Sequence, residues 1–312
     1  MAERIRTAIV GCGAWGRNLL RVARAHPRLE VTAVADPNPS IATSDVPRFD
    51  SLAAVPDPLD AVLIATPGPT HAVVAIDAID RGAHVFVEKP MATCVVDASR
   101  VVAAAARAGR VGMVGHLLRH HPAARAMSAQ VASGALGRPL SFHSERCSMP
   151  GGRDPDGDVL WSLAPHDVSL LIALDGSDVV AAMCEPIASD ACTLGFTMAS
   201  GLVARMVVSR TSAAKRRRVT ITCERGVVVF DDCLPVRKVE VRSGEARSWP
   251  EYDASIEPLR AELDAFVRAV DGGERPLTSL QEGLDVVALI ERARSVAAQE
   301  SARSMPPLEA RR

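Results

Sequence analysis

The sequence predicts a two-domain α/β protein, with an N-terminal doubly wound parallel sheet and a C-terminal α+β domain that has an open, mainly antiparallel sheet. In the first third of the chain, short apolar runs alternate with helical patterns over brief connections, as in βαβ units. From Val179 to Val241, strand patterns follow one another with short turns and no helices between them. We place the domain boundary near residue 118, which divides the chain into 1–118 and 119–312.

The elements of the first domain follow from its hydrophobic periodicity. Apolar runs of this shortness suit strands that are buried on both faces. The predicted strands are Ile5–Val10, Val31–Ala35, Ala61–Ala65, His84–Val87 and Val111–Val114, and the predicted helices are Leu19–Ala25, His71–Asp80 and Val95–Ala108.

The second domain mixes long helical patterns with alternating strands. Its predicted helices are 122–133, 159–174, 256–270 and 280–298, and its clearest strands are 139–146, 191–198, 202–208, 219–222 and 227–230. Thr278 or Ser279 can cap the last helix. The Gly- and Pro-rich stretch Pro150–Gly157 predicts turns, and we expect the tail 301–312 to be loosely ordered.

Composition excludes several classes of protein. The formal net charge is −1, which argues against a nucleic-acid binder that works by neutralising phosphates. No apolar stretch is long enough to span a membrane, and the N-terminus lacks a secretory signal. The seven Cys are an odd number without a CxxC motif. They predict reduced core thiols and a cytoplasmic location.

The segment Gly11-Cys12-Gly13-Ala14-Trp15-Gly16 is a GxGxxG motif between a strand and a helix, the position it takes in a dinucleotide-binding Rossmann domain. Gly11 permits the tight turn, Gly13 lets the backbone approach a pyrophosphate, and Gly16 allows close helix–strand packing. The free N–H groups of the helix N-terminus then face the phosphates. The alternative is a glycine-rich turn that binds no ligand.

Asp36 ends the second strand, where it can accept hydrogen bonds from ribose hydroxyls. Its carboxylate would repel a 2′-phosphate, and the residues directly after it are Pro37, Asn38 and Pro39, with no cation among them. We therefore expect NAD as cofactor, with NADP less favoured.

Three further segments, in this order and context, give the chain a family resemblance. They are Ala65-Thr66-Pro67-Gly68-Pro69-Thr70-His71, Glu88-Lys89-Pro90 and Trp161-Ser162-Leu163-Ala164-Pro165-His166-Asp167. Nearly the whole chain resembles the glucose–fructose oxidoreductase, inositol dehydrogenase and rhizopine catabolism protein (Gfo/Idh/MocA) superfamily. The resemblance implies an oxidoreductase that acts on a ring hydroxyl of a sugar or cyclitol.

The resemblance also implies roles for individual residues. Lys89 matches the lysine between nicotinamide and substrate, and Glu88 matches the acid that contacts the nicotinamide ribose. His166 matches the acid–base histidine. The residues that match the loop lining the cofactor are Thr66, Pro67 and His71.

Ser162 departs from the family pattern, because many family members carry an Asp at this position, one helical turn before the histidine. A hydroxyl cannot hold a proton or balance an imidazolium as a carboxylate does. Asp167 points elsewhere on a helix and is a poor substitute. We retain both Ser162 and Asp167 as candidates for substrate contact.

The residue types fit hydride transfer from an alcohol carbon, which needs a base for the hydroxyl proton and a donor for the developing alkoxide. His166, with an intrinsic pKa of about 6.5, is the expected base, and Lys89 is the expected donor. Taken singly, a lysine at a strand end is usually solvated and a histidine on an apolar helix is usually a core residue. The fingerprint and the family order favour the functional interpretation.

Two other clusters leave alternatives open. His116 and Arg119 follow the fifth strand and either contact substrate or belong to an interdomain hinge; no ligand spacing there predicts a metal site. The basic run Lys215–Arg218 is either the solvated start of a strand or a contact for the diphosphate of a nucleotide-linked sugar. Strands ending in Phe230-Asp231-Asp232 resemble those of relatives that act on surface or modified sugars.

The leading hypothesis is an NAD-dependent sugar dehydrogenase or reductase. The alternatives are a dinucleotide-binding regulator without catalysis and a glycoside hydrolase in which NAD is recycled in each turnover. An open sheet with apolar residues on both faces is unfavourable when one face is exposed to solvent. We therefore expect another subunit to cover it, in a homodimer or homotetramer.

Overall fold

The computed structural model describes residues 3–43, 45–151, 158–188, 190–272 and 274–304. Its first sheet contains β1 (Ile5–Val10), β2 (Leu29–Ala35), β3 (Arg48–Phe49), β4 (Ala61–Ile64), β5 (His84–Glu88) and β6 (Gly112–Gly115). The helices between these strands are α1 (Gly16–Ala25), α2 (His71–Asp80) and α3 (Val95–Ala108). The strand order is β3-β2-β1-β4-β5-β6, and every pair is parallel, so the doubly wound sheet is confirmed.

Burial explains why these runs form strands. All four residues of β4 are buried, as are all but the first residue of β5, because helices cover both faces of the sheet. The two-residue β3 is absent from the sequence prediction, since so short a strand leaves no periodicity to detect.

The second half contains one large sheet with helices on its inner face. Its strands are β7 (Pro139–Cys147), β8 (Val179–Ala188), β9 (Ala191–Met198), β10 (Val203–Ser209), β11 (Arg216–Cys223), β12 (Gly226–Asp231), β13 (Val239–Ser243) and β14 (Ala246–Ser248). The helices are α4 (Pro122–Ala132), α5 (Val159–Asp175), α6 (Pro258–Val270) and α7 (Leu280–Ser304). The order is β14-β13-β12-β11-β7-β10-β9-β8, and β7 with β10 is parallel whereas the other paired strands are antiparallel.

Helix termini follow their capping residues. Of the two predicted caps of α7, Ser279 fills the role, because its Oγ accepts a hydrogen bond from the Glu282 N–H at 3.3 Å. The expected loose tail is wrong for 301–304, which continue α7, and 305–312 lie outside the described residues. The predicted turn at 150–157 also lies mostly outside them, at 152–157.

The last two helices return to the first sheet, although the sequence places them in the second domain. The Phe266 ring of α6 meets the Phe86 ring of β5 edge-on, with centroids 5.9 Å apart. Before α7, Ser279 forms a β-bridge with Met113, and the Thr278 hydroxyl donates to the Val114 carbonyl at 2.7 Å. Residues from the C-terminal part of the chain therefore complete the first sheet. A boundary near residue 118 stays a prediction.

Within the described residues, we find no helix with the length and hydrophobicity needed to cross a bilayer.

Replacing Phe266 with Ala should destabilise the first sheet, because the fully buried ring is its contact with α6. We expect Phe266→Ala to lower the free energy of unfolding by about 3–5 kcal/mol in urea denaturation. The control is Val73→Ala on α2, whose side chain is 66% exposed; it should change stability by no more than about 0.5 kcal/mol. Equal effects of the two changes would contradict this packing.

Candidate active site

The candidate site lies at the carboxyl edge of the first sheet. Strands β1, β2, β4, β5 and β6 are parallel, so the loops that follow them meet at this edge. The sheet order reverses between β1 and β4, and ligands of such sheets bind at that crevice. Most of the predicted site residues lie in these loops.

The glycine loop has the geometry that its three glycines predict. Gly11 has a φ of +83°, and a Cβ there would lie 2.6 Å from the Thr66 nitrogen. A Cβ on Gly16 would overlap the Gly11 carbonyl oxygen. At Gly13, by contrast, a Cβ would meet nothing within 4 Å, so the loop leaves open space there.

The start of α1 suits a diphosphate. Its N-cap, Trp15, makes no side-chain capping hydrogen bond, and no acidic residue lies in the first turn. The first amides of the helix, beside Ala14 and Trp15, are therefore not capped by a side chain. The open space at Gly13 and these amides together fit the phosphates of a dinucleotide.

Asp36 also orders this loop. Its carboxylate accepts hydrogen bonds from the Cys12 N–H at 2.7 Å and from the Asn38 N–H at 2.9 Å. The structure brings Arg48 of β3 beside it, with the guanidinium donating to the Asp36 carbonyl at 2.6 Å and to the Asp50 carboxylate at 2.8 Å. Sequence reasoning missed this cation, because it searched only the residues directly after Asp36.

His71 connects two of the predicted cofactor segments. Its Nδ1 lies 2.7 Å from the Pro90 carbonyl and its Nε2 lies 2.7 Å from the Thr66 carbonyl. The ring is buried, and a carbonyl oxygen lies within hydrogen-bond distance of each of its two nitrogens. The geometry therefore favours a role in holding Thr66 and Pro67 next to the Lys89-Pro90 segment over direct contact with cofactor. Direct contact by His71 stays a prediction.

Glu88 is the last residue of β5, and Lys89 follows it. Glu88 contacts the glycine loop, and Lys89 contacts the second half of the chain. Glu88 is buried and accepts a hydrogen bond from the indole N–H of Trp15. The ammonium of Lys89 donates to the Ser162 carbonyl at 2.9 Å. Lys89 is thereby fixed to the turn of α5 that precedes His166.

Pro165 helps to open that turn. A proline inside a helix removes one backbone hydrogen bond and crowds the carbonyl four residues earlier. That carbonyl belongs to Trp161, the neighbour of Ser162. The carbonyl of Ser162 accepts the Lys89 ammonium within this perturbed turn.

His166 is half-buried, and its Nδ1 is buried without a hydrogen-bond partner in the described part of the chain. Burial lowers its pKa well below the ordinary value of 6.5, and the cations Arg146 and Lys89, with His116, lower it further. The role of His166 as the base stays a prediction. At neutral pH, His166 is neutral, which is the form that accepts a proton.

The side chain of Asp167 lies in a buried ion pair and is not exposed to a substrate. It is 1% exposed, and its two carboxylate oxygens accept from the guanidinium of Arg146 at 2.6 and 3.0 Å. This buried ion pair fixes α5 on β7. A substrate contact by Asp167 stays a prediction that the geometry does not favour, and Arg146 is a site neighbour that sequence reasoning missed.

The two candidates after β6 behave differently. His116 is buried with neither ring nitrogen hydrogen-bonded to a described residue, and burial, Arg119 and Lys89 lower its pKa to about 3. Arg119 instead pairs with Glu282 of α7 at 2.6 Å and donates to the Ser169 carbonyl at 3.3 Å. Arg119 thus connects α5 with α7, in agreement with the hinge alternative. His116, by contrast, has two unpaired ring nitrogens near Lys89 and His166.

Two neighbouring residues of the basic run at the start of β11 lie in different environments, one on the surface and one in the interior. Arg216 forms an exposed ion pair with Glu145 at 2.6 Å. Arg217 turns inward, where it donates to the Cys147 carbonyl at 2.6 Å and the Ser148 hydroxyl at 2.8 Å. Arg217 lies near the Arg146–Asp167 pair: burial lowers the pKa of Arg217, Arg146 lowers it further, and Asp167 raises it.

The described residues contain no group of three or more His, Cys, Asp and Glu side chains arranged to hold a metal ion.

Comparison with known proteins identifies the class. Residues 5–116 match the oxidoreductase family with an NAD-binding Rossmann fold (GFO/IDH/MocA), and residues 124–229 match the GFO/IDH/MocA C-terminal domain. The chain belongs to this family of oxidoreductases, as the resemblance in the sequence implies.

Two relatives with known activities are similar to this chain. A UDP-N-acetylglucosamine 3-dehydrogenase from Acidithiobacillus ferrooxidans is 30% identical over 227 residues, which cover 70% of this chain and 71% of the relative. The solved structure of that enzyme aligns with a TM-score of 0.85 and 25% identity, covering 96% of this chain and 99% of the other. An inositol 2-dehydrogenase from Ralstonia nicotianae is 31% identical over 191 residues, but these span only 57% of this chain and 56% of the relative.

Two alanine substitutions should separate the roles of the glycines. Gly13→Ala places its methyl group in open space, so we expect an unchanged melting temperature and a Kd for NAD at least about tenfold higher, a loss of about 1.4 kcal/mol. Gly16→Ala serves as the contrast, because its methyl group overlaps the Gly11 carbonyl and should cost about 1–3 kcal/mol of stability. Thermal scans and calorimetry measure the two quantities. Wild-type affinity in Gly13→Ala would contradict a phosphate at this position.

Proposed function

We propose that this protein is an NAD-dependent dehydrogenase or reductase that transfers a hydride between the nicotinamide and a ring hydroxyl or keto carbon of a sugar. The observation that carries the proposal is the placement of Lys89 against the turn of α5 that leads to His166. An ammonium donor and a neutral imidazole thereby share one cleft at the carboxyl edge of a dinucleotide-binding sheet.

Each group has a defined part in the chemistry. When bound, NAD supplies the hydride acceptor. The Lys89 ammonium donates a hydrogen bond to the substrate oxygen and stabilises the developing alkoxide. His166 takes the hydroxyl proton during oxidation and returns it during reduction. His116, buried beside them with two unpaired nitrogens, is proposed to contact a hydroxyl of the substrate.

The preference for NAD is proposed from Asp36. Asp36 directly follows β2, and its carboxylate accepts a hydrogen bond from the Cys12 N–H of the glycine loop. At this position the carboxylate would repel a 2′-phosphate. Arg48 lies beside Asp36, and its Nη1 donates to the Asp36 carbonyl and to the Asp50 carboxylate. We propose that the Asp36 carboxylate, and not Arg48, sets the preference.

For the substrate, we propose the narrower class of nucleotide-linked sugars. Three cations, Lys89, Arg146 and Arg217, lie around His166, and Asp167 neutralises only part of their charge. Such a cleft suits a diphosphate more than a neutral cyclitol. The similarity to the UDP-N-acetylglucosamine 3-dehydrogenase, over more of the chain than to the inositol dehydrogenase, supports the same class.

We also propose a cytoplasmic homodimer or homotetramer. Reduced thiols support the location: the seven cysteines are free, and most are buried. Exposed apolar side chains on the second sheet support the association, since Met183 is 44% and Val203 is 53% exposed.

The function is tested by incubating purified protein and NAD with UDP-sugars, free sugars and inositols while following the absorbance of the reduced cofactor. We expect turnover with a UDP-sugar. Turnover with inositol alone would overturn the substrate class, and NAD binding without turnover on any substrate would favour the regulator.

Lys89→Ala and His166→Gln should each lower kcat/KM by about 10²–10⁴-fold, because Lys89 stabilises the developing alkoxide and His166 transfers the hydroxyl proton. His166→Gln should keep the affinity for NAD. The control is Arg247→Ala, which removes an exposed cation on β14 and should leave the rate unchanged. Full turnover in Lys89→Ala would refute the catalytic assignment.

Cofactor preference is expected from the same assay with NADP in place of NAD. Wild-type protein should show a kcat/KM at least about tenfold higher with NAD, equivalent to about 1.4 kcal/mol. Asp36→Ala should lose most of this preference, whereas Asp45→Ala, which removes an exposed acid, should retain it. A preference of the wild type for NADP would show that Asp36 does not select the cofactor.

A further inference from the structure

Glu262 is a buried carboxyl group that the proposed chemistry does not use. It lies on α6 with an exposed fraction of 0%, and neither of its oxygens has a hydrogen-bond partner in the described part of the chain. An apolar residue would fill this position without leaving polar atoms unsatisfied, so the carboxyl group calls for an explanation.

Packing places Glu262 opposite Glu88. The Phe266 ring of α6 contacts the Phe86 ring of β5. Glu262 precedes Phe266 by four residues and so lies on the same face of the helix, one turn away. Glu88 follows Phe86 by two residues and so lies on the same face of the strand. The two steps cover nearly equal lengths, about 6 Å on the helix and about 6.6 Å on the strand.

The space around Glu88 is restricted on its other sides. A Cβ added to Gly115 of β6 would lie 2.9 Å from the Glu88 carboxyl carbon, so a larger residue there would force the Glu88 carboxyl group to shift. The indole N–H of Trp15 donates to Glu88 from the side of the glycine loop. Glu262 on α6 lies near enough to Glu88 for the charge of Glu88 to act on it.

The pair holds a proton. Burial raises the pKa of Glu262 well above its ordinary value, and the charge of Glu88 raises it further. Two adjacent buried carboxyl groups do not both ionise at neutral pH. Glu262 has no partner that would stabilise its charged form, whereas Glu88 receives the Trp15 N–H, so Glu262 is the protonated member.

We propose that Glu262 is a positioning residue for cofactor binding: as a neutral carboxylic acid it donates a hydrogen bond to Glu88, directly after a side-chain rotation or through one buried water, and so holds a single negative charge against the ribose of the dinucleotide. This inference rests on the proposed function, in which Glu88 contacts the nicotinamide ribose. Glu262 does not itself touch cofactor or substrate.

The first test compares Glu262→Met with Glu262→Gln by calorimetry with NAD. Methionine fills the volume without a donor, so we expect a Kd for NAD at least about tenfold above wild type and a melting temperature that is not lowered. Glutamine keeps a donor and should restore most of the affinity lost in Glu262→Met. In a Glu88→Gln background, Glu262→Met should have little further effect, because the acceptor has changed.

The second test does not depend on Glu262→Met folding, because it compares wild type with Glu262→Gln at several pH values. The folded state keeps the Glu262 proton, whereas the unfolded chain releases it above its ordinary pKa of about 4.3. Wild-type stability should therefore fall as pH rises, and the melting-temperature advantage of Glu262→Gln should grow from about pH 5 to about pH 8.

The pH test reports on Glu262 because its surroundings carry one interacting charge. The ionisable groups on the neighbouring elements are Arg17, Arg21 and Arg24 on α1, His26 directly after it, His84 and Glu88 on β5, and His116, Arg119 and His120 after β6. Of these, only Glu88 shifts the pKa of Glu262.

The outcomes separate this inference from the proposed function. Wild-type affinity for NAD in a folded Glu262→Met protein, or a melting-temperature difference between Glu262→Gln and wild type that is independent of pH, would overturn the role of Glu262 alone. Failure of the wild type to bind NAD would overturn the proposed function and this inference with it.

Discussion

The hydrogen bond from the Lys89 ammonium to the Ser162 carbonyl is the contact on which the candidate chemistry depends. It joins the end of β5 in the first half to α5 in the second. Because Ser162 and His166 are one helical turn apart, the bond fixes the ammonium and the imidazole relative to each other. Asp167, the next residue, anchors the same helix on β7 through Arg146. A shift of α5 would therefore move the base away from the donor.

The electrostatics of the cleft follow from this arrangement. Burial lowers the pKa of His166, the cations Arg146 and Lys89 lower it further, and the residue one helical turn before it is Ser162 rather than a carboxylate. Asp167 cannot replace that carboxylate, because Arg146 binds both of its oxygens. Negative charge must then come largely from the ligands, and a dinucleotide and a nucleotide-linked substrate both carry diphosphates that would supply it.

The first sheet is completed by residues from the far end of the chain. Helix α6 covers β5 through Phe266, and Thr278 and Ser279 bind the strand β6 before α7 begins. Glu88 and Glu262 are buried in this layer, and the indole N–H of Trp15 in the glycine loop donates to Glu88. Folding of the cofactor site and closure of the C-terminal helices are therefore linked, since neither surface is buried without the other.

The parallel sheet, the glycine loop and the order of the candidate site segments are readable from the amino-acid sequence, because strand periodicity and the GxGxxG spacing are local properties. The family resemblance added the roles of Lys89 and His166. Three other features emerge only in the folded protein: Arg48 lies beside Asp36, Arg146 forms an ion pair with Asp167, and Glu262 lies near Glu88. The physical reason is that periodicity shows which face of an element is buried, whereas the partner of a buried charge is set by packing between residues that are distant in the chain.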